Sequence, residues 1–178
     1  MVYEPQEDSY LLLKYVKQLA YGKVIDIGTG SGILAEGAAS NSQVKRVYAV
    51  DIDEDAVSNL KKCKSEKIKC MKSDLFASVN EKFDVIIFNP PYLPADENDK
   101  DSALDGGKKG HELIHEFLKQ AKKHLRAGGF ILMVFSNRTS KENVDKAIAK
   151  EDYEYELLEK KSLPFFEELY AYKVYNKA

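Results

Sequence analysis

The run Val85-Ile86-Ile87-Phe88 is apolar at every position and ends on Asn89-Pro90-Pro91-Tyr92. A strand without polar alternation has to be covered on both faces, so it belongs inside a sheet that carries helices on either side. It also has a hard stop. The residue before a proline is held extended, which carries Asn89 to the strand end. Neither proline has an N–H, so carbonyl oxygens lead the local hydrogen-bonding inventory. The Asn89 side-chain oxygen and the Pro90 main-chain oxygen can both accept from one planar NH2 group. Tyr92 adds a flat face to stack on that group. Such a turn suits a side-chain amide or the exocyclic amine of a nucleobase. Held by its hydrogens, that nitrogen keeps its out-of-plane electrons aimed at an electrophile. The plain alternative is a strand end stiffened by two prolines.

Further strands of this kind alternate with helical patterns. Val24-Ile25-Asp26-Ile27 runs into Gly28-Thr29-Gly30-Ser31-Gly32 and a helix through about Ser40. A glycine-rich turn between strand and helix lets a ligand approach the backbone. The third glycine comes one residue early for G-x-G-x-x-G, which counts against NAD. Arg46 to Asp51 is the second strand. Asp51 at its end can accept from both ribose hydroxyls, and Asp53 is the better cap for the helix from Glu54 to about Lys64, which leaves Asp51 free for a ligand. Ile68 to Met71 is a third, weaker strand. After it, Asp74 can accept from an adenine amine, with Leu75 and Phe76 packed on the ring; a solvated turn is the alternative.

The opening segment places Asp8 or Ser9 as a helix cap, followed by apolar residues at helical spacing from Tyr10 to Leu19. Beyond Tyr92, Leu93 to Gly110 is the most polar stretch and reads as a substrate-facing loop. A helix with Leu113, Ile114, Phe117, Leu118, Ala121 and Leu125 as its buried stripe runs to Gly128-Gly129. Phe130 to Phe135 is the fifth strand, a helix covers about Lys141 to Lys150, and Tyr155 to Lys161 with Leu169 to Tyr175 forms a closing, partly buried hairpin. One α/β domain over residues 1–178 accommodates all of this.

Composition narrows the function classes. A net charge of −2 gives no broad footprint for nucleic acid. Cys63 and Cys70 form no C-x-x-C pair, no apolar run reaches about 18 residues, and no signal-peptide pattern opens the chain, which reads as cytoplasmic with no membrane segment. His111-Glu112-Leu113-Ile114-His115 matches H-E-x-x-H, the zinc-peptidase pattern. With no third ligand downstream and a βαβ context, it reads as ordinary helix surface, and no metal is expected.

Strand–D-x-G-x-G-x-G–helix, an acid ending the second strand, Ser73-Asp74-Leu75 after the third and Asn-Pro-Pro-Tyr after the fourth together resemble the class I S-adenosylmethionine methyltransferases. The resemblance runs nearly the whole chain, and it is nearest to the HemK-like protein-glutamine N5-methyltransferases. Tyr3-Glu4-Pro5-x-Glu7-Asp8-Ser9, Asn89 to Pro94 and Gly106-Gly107-x-x-Gly110 resemble the archaeal and eukaryotic branch, which methylates the glutamine of the Gly-Gly-Gln tip of class-1 translation release factors. The resemblance implies a Rossmann-like α/β fold: a seven-stranded, mostly parallel sheet with an antiparallel last strand and helices on both faces. It implies S-adenosylmethionine as cofactor. Asp26, Gly28 and Gly30 would line its methionine part, Asp51 would hold the ribose, Asp74 and Leu75 would contact adenine, and Ser9, where the family usually has threonine, would keep a cofactor contact. Asn89, Pro90 and Tyr92 would hold the target. It also implies a release-factor substrate, a small zinc-binding activator subunit, and no counterpart of the bacterial members' helical N-terminal recognition domain. Asn-Pro-Pro-Tyr is shared with DNA adenine and some RNA guanine methyltransferases, so a nucleic-acid amino-methyltransferase is the competing reading, and a non-catalytic S-adenosylmethionine-binding scaffold is another.

Overall fold

The computed structural model describes residues 5–61, 65–91 and 110–178. The apolar runs become the strands of one sheet. In chain order these are β1 Gly22–Ile27, β2 Val44–Asp51, β3 Ile68–Lys72, β4 Phe83–Phe88, β5 Leu125–Ser136, β6 Tyr153–Ser162 and β7 Glu168–Asn176. The helices are α1 Glu7–Leu19, α2 Ile33–Ala39, α3 Glu54–Leu60, α4 Gly110–His124 and α5 Lys141–Lys150.

The spatial order is β3-β2-β1-β4-β5-β7-β6. β1 pairs in parallel with β2 and β4, β2 with β3, and β4 with β5. β7 is antiparallel to both its neighbours. The sheet matches the expected one: seven strands, mostly parallel, with the last reversed.

Two apolar layers fill the faces. Ile25, Ile27, Ile86 and Phe88 point to one side, where Phe117 of α4 lies flat on Phe88 at 3.9 Å between ring centres. Val24, Val85 and Ile87 point to the other, against Leu12 and Val16 of α1 and Leu34 of α2. Alternate residues of β1 and β4 therefore enter opposite cores, as the unbroken apolar runs required.

The chain winds outward from β1 in one direction through β2 and β3, then returns and winds the other way through β4 and β5. The switch lies between β1 and β4, and a crevice opens there at the strand carboxyl ends. Ile27 is in register with Phe88, so Gly28 and Asn89 leave the sheet side by side.

Several expectations need correcting. Leu125 is not the last residue of a helical stripe. α4 ends at His124, and Leu125 already pairs with Phe83 as the first residue of β5. A register shift between Phe83 and Val85 lets the strand absorb Gly128-Gly129, where Gly129 presses on the Asp84 backbone too closely for a Cβ. The closing hairpin is also less exposed than its alternating pattern suggested. β7 is an interior strand, and its tyrosines find partners: Tyr172 is fully buried, stacked on Tyr155 at 4.1 Å, with its hydroxyl donating to Asp145. Among the described residues, β6 is the edge strand on that side and β3 on the other.

Neither Asp8 nor Ser9 caps α1. Gln6 occupies the cap position without a side-chain bond, and both Asp8 and Ser9 are buried within the first turn. Asp53 does cap α3, accepting from the Asp55 N–H at 2.9 Å.

Candidate active site

The crevice at the switch point is a cavity of about 280 Å³. Its floor is the β1–α2 turn, and its sides are the ends of β2, β3 and β4 and the start of α1. Of the site residues expected from sequence, it gathers Ser9, Gly28, Gly30, Asp51, Asp74, Leu75, Asn89 and Pro90. Tyr92 and the Gly106-Gly107 element lie outside the described residues.

The turn is shaped by glycine backbone. Gly28 has φ of 69°, and a Cβ there would meet nothing within 4 Å, which marks open cleft at that point. Gly32 has φ of 83°, and a Cβ there would collide with Leu60. Both need the left-handed region, which glycine enters without penalty. The turn's amides are spent internally. Gly28 and Thr29 N–H both donate to the Val50 carbonyl (2.8 and 2.9 Å), Gly32 N–H to the Thr29 carbonyl (2.8 Å), and Gly30 N–H to Asp51 Oδ2 (2.8 Å). This is a poor cradle for phosphate, which needs free N–H groups converging on it.

Charge points the same way. Asp8, Asp51 and Asp74 line the cavity, and no basic side chain does among the described residues. The field favours a cationic ligand and opposes an anionic one. Ile33, Ile52, Leu75 and Leu113 supply apolar walls.

Asp51 is less free than the sequence suggested. Oδ2 accepts from Gly30 and Oδ1 from the Asp53 N–H at 2.9 Å. A carboxylate has about four acceptor sites, so these bonds fix its orientation and leave lone pairs toward the cleft. Asp26 is not a lining residue. It is fully buried beneath the turn, and the Thr29 hydroxyl donates to its Oδ2 at 2.6 Å. Its Oδ1 has no partner. Burial pushes this carboxyl up to about 7; the Thr29 hydroxyl and the nearby Ala35 N–H oppose the shift and the Asp51 charge adds to it. Phe76 is likewise displaced from its expected place. It sits in the core, stacked on His124 at 4.6 Å, and does not line the cleft.

Asn89 is held by α1. Its Nδ2 donates to Asp8 Oδ2 (3.0 Å) and Ser9 Oγ (3.1 Å). Both amide hydrogens are thus committed, which assigns the amide orientation and leaves Oδ1 as a buried acceptor with no partner. Buried polar atoms are nearly always satisfied, so an orphan at a cleft wall marks a place for a donor. Sequence reasoning missed this role of Asp8 and gave Ser9 a different one. A signal existed: both are polar residues in register with the buried Leu12 and Val16 stripe. Ile52 and Ser73 were missed too; an isoleucine set between Asp51 and Asp53, where the strand gives way to a capped helix, was the visible cue.

His111 and His115 of the H-E-x-x-H sequence lie away from this cleft, on α4 facing α5, where His115 Nε2 is 2.9 Å from Glu151 Oε1.

Residues 4–162 match the model of the methyltransferase small domain. The chain belongs to that family. A protein of Methanocaldococcus jannaschii, provisionally named a protein N5-glutamine methyltransferase, is 37% identical over 174 residues, covering 93% of this chain and 88% of its own. The release factor glutamine methyltransferase of Shewanella oneidensis is 33% identical over 72% of this chain, which spans only about half (51%) of that relative's length. Among solved structures, the E. cuniculi Mtq2–Trm112 complex, described as responsible for methylation of the termination factor eRF1, superposes with a TM-score of 0.75 at 24% identity, covering 99% of both chains. At that identity the superposition speaks for the fold.

Proposed function

We propose that this methyltransferase transfers a methyl group from S-adenosylmethionine to the side-chain amide of a glutamine, and that the glutamine is that of the Gly-Gly-Gln tip of a class-1 release factor. The carrying observation is the unpartnered Asn89 Oδ1 at the cleft wall, its own NH2 tied back to Asp8 and Ser9. The whole chain, 1–178, acts as one domain, in the cytoplasm where its substrate works; no helix among the described residues is long and apolar enough to cross a membrane.

The cofactor fit rests on the acidic, phosphate-averse cleft. S-adenosylmethionine is a cation that supplies an electrophilic methyl on sulfonium. Asp51 would accept from its ribose hydroxyls, Asp74 from its adenine amine, and Ile52 and Leu75 would flank the ring. Gly28 and Gly30 would border the methionine portion, and Asp26 would act from beneath by holding the turn through Thr29. Asn89 Oδ1 and the Pro90 carbonyl would each accept one hydrogen of the target amide, with Tyr92 stacked on its plane. These dipoles favour the positive charge that grows on nitrogen during displacement. An amide nitrogen is a weak nucleophile, so alignment provides most of the acceleration. Asp8 and Ser9 are positioning residues for Asn89.

A small activator subunit would add to the edge of β3, on the side where no described strand pairs with it. Ser73 N–H donates inward to the Asp51 carbonyl, and the Lys67 carbonyl accepts from Val47. By alternation, the Lys72 N–H faces away from β2 and can receive a strand from another chain.

Incubation of a candidate release factor with S-adenosylmethionine and this chain, with and without the activator, tests the reading. Mass spectrometry should find one added methyl on the Gly-Gly-Gln glutamine. Methyl label entering RNA or DNA instead would replace it with the nucleic-acid reading.

A further inference from the structure

The β6–β7 turn contradicts its own geometry. Phe165 and Phe166 both have φ of 60°. Glu167 N–H reaches back to the Pro164 carbonyl (3.5 Å), and Leu163 N–H bonds the Glu167 carbonyl (2.8 Å). Two left-handed residues at the centre of an antiparallel hairpin make a type I′ turn, whose preferred residues are Asn and Gly. Phenylalanine is strained at both positions. No packing of the two side chains offsets that strain, because Phe165 and Phe166 are 90% and 96% exposed, the most exposed large apolar residues among the described residues. Where a sequence breaks a local rule without gaining stability, the residue is serving something else.

The turn is also rigidly seated, and in a telling place. Asn137, directly after β5, donates through Nδ2 to the Phe166 carbonyl (2.9 Å) and accepts the Glu168 N–H through Oδ1 (3.1 Å). Leu169 is in register with Ser136 at the carboxyl end of β5, so the turn stands at the same end of the sheet as Asn89. Lys161 at the end of β6 pairs with Glu7 of α1, and the next two residues of that helix hold Asn89.

We infer that Phe165 and Phe166 are a docking knob for an apolar patch on the protein that carries the target glutamine, at a distance from the glutamine itself. The inference rests on the reading under Proposed function. Charge favours protein over nucleic acid as the occupant. The cations around the turn are matched: Arg138 by Glu167 (3.3 Å), Lys160 by Glu168 (2.7 Å) and Lys161 by Glu7. A phosphate backbone needs uncompensated positive charge. Two exposed rings within a neutralised rim suit the apolar centre of a protein–protein contact.

The double substitution Phe165→Asn with Phe166→Gly gives the turn its preferred residues, so it tests docking without threatening the fold. With the activator present, the variant should melt no lower than wild type and bind S-adenosylmethionine equally by calorimetry. Its kcat/KM on intact release factor should fall at least about tenfold, mainly through KM. On a short peptide carrying Gly-Gly-Gln it should change less than about twofold. An unchanged KM for the intact protein overturns the docking role. So does an equal loss on peptide and protein, which would mean general damage, or a wild-type dimer that becomes monomeric in the variant, which would make a second copy the occupant. A loss of methyl transfer to RNA rather than protein would overturn it in favour of base stacking. If wild type leaves the release factor unmethylated, the functional reading has failed; if wild type works and the variant matches it, only the docking role has.

Discussion

At the scale of residues, the two orphaned atoms of the site have opposite characters. Asn89 Oδ1 is an unsatisfied acceptor at a cleft wall, where a substrate donor can reach it. Asp26 Oδ1 is an unsatisfied acceptor sealed under the turn, where only protonation or a small rearrangement relieves it. Asn89→Ala removes the first, together with the bonds Nδ2 donates to Asp8 and Ser9, and leaves Asp51 and Asp74 untouched. Turnover should drop at least about a hundredfold, the scale of one lost transition-state acceptor, while S-adenosylmethionine affinity stays within about threefold. Single-turnover methylation alongside calorimetry separates the two, and near-normal turnover would remove Asn89 from the chemistry.

Among the elements, β3 ends the sheet next to the site, and no described strand pairs with its outer side. It is short, half-buried, and tied down on one side only: Lys72 pairs with Glu54, and Lys67 donates to the carbonyls of Ala39 and Asn41 (3.1 Å each). Those lysines stabilise the strand's own side. Lys72→Pro deletes an outward N–H and, at the cost of the exposed Lys72–Glu54 pair, spares the bonds to β2, a placement proline tolerates on an edge strand. The purified variant should fold and bind S-adenosylmethionine, yet lose activator stimulation. A pull-down in which Lys72→Pro retains the activator as well as wild type does would place the partner elsewhere.

For the whole molecule, Asp26 links the site to global stability. Its folded value of about 7 stands above the ordinary 3.8, so the folded state keeps a proton that the unfolded chain has lost. That contribution is complete below about pH 3.8 and is lost as pH rises through about 7. At about 1.4 kcal/mol per unit, the gap amounts to about 4 kcal/mol. Asp26→Asn cannot titrate, and its amide oxygen can still accept from Thr29. Urea unfolding at several pH values should therefore show wild type losing stability relative to the variant between pH 4 and 7. Parallel profiles would mean that Asp26 is ionised in the folded protein throughout. The destabilisation above pH 7 belongs to a cleft that gathers acids, and a bound cation would ease it.

Local pattern was enough to reveal the parallel core strands, the glycine turn, the acid closing β2 and the asparagine closing β4, because strand period, proline and positive φ act on neighbouring residues. The register of Ile27 with Phe88 was not legible there, because runs buried on both faces can slip without exposing an apolar side chain. What only the folded chain decided are the contacts between distant residues. Asn89 is oriented by residues 80 and 81 positions away, and the same contacts turn Asp8 and Ser9 from apparent caps into buried partners. Asp51 is pinned by the Gly30 amide 21 residues before it. Phe76 left the expected ligand wall because the His124 and Phe117 rings offered it a core. β7 became an interior strand because β5 and β6 pair on both its sides. Each depends on which surfaces meet across the sheet, and a one-dimensional pattern of apolar and polar residues carries no record of that.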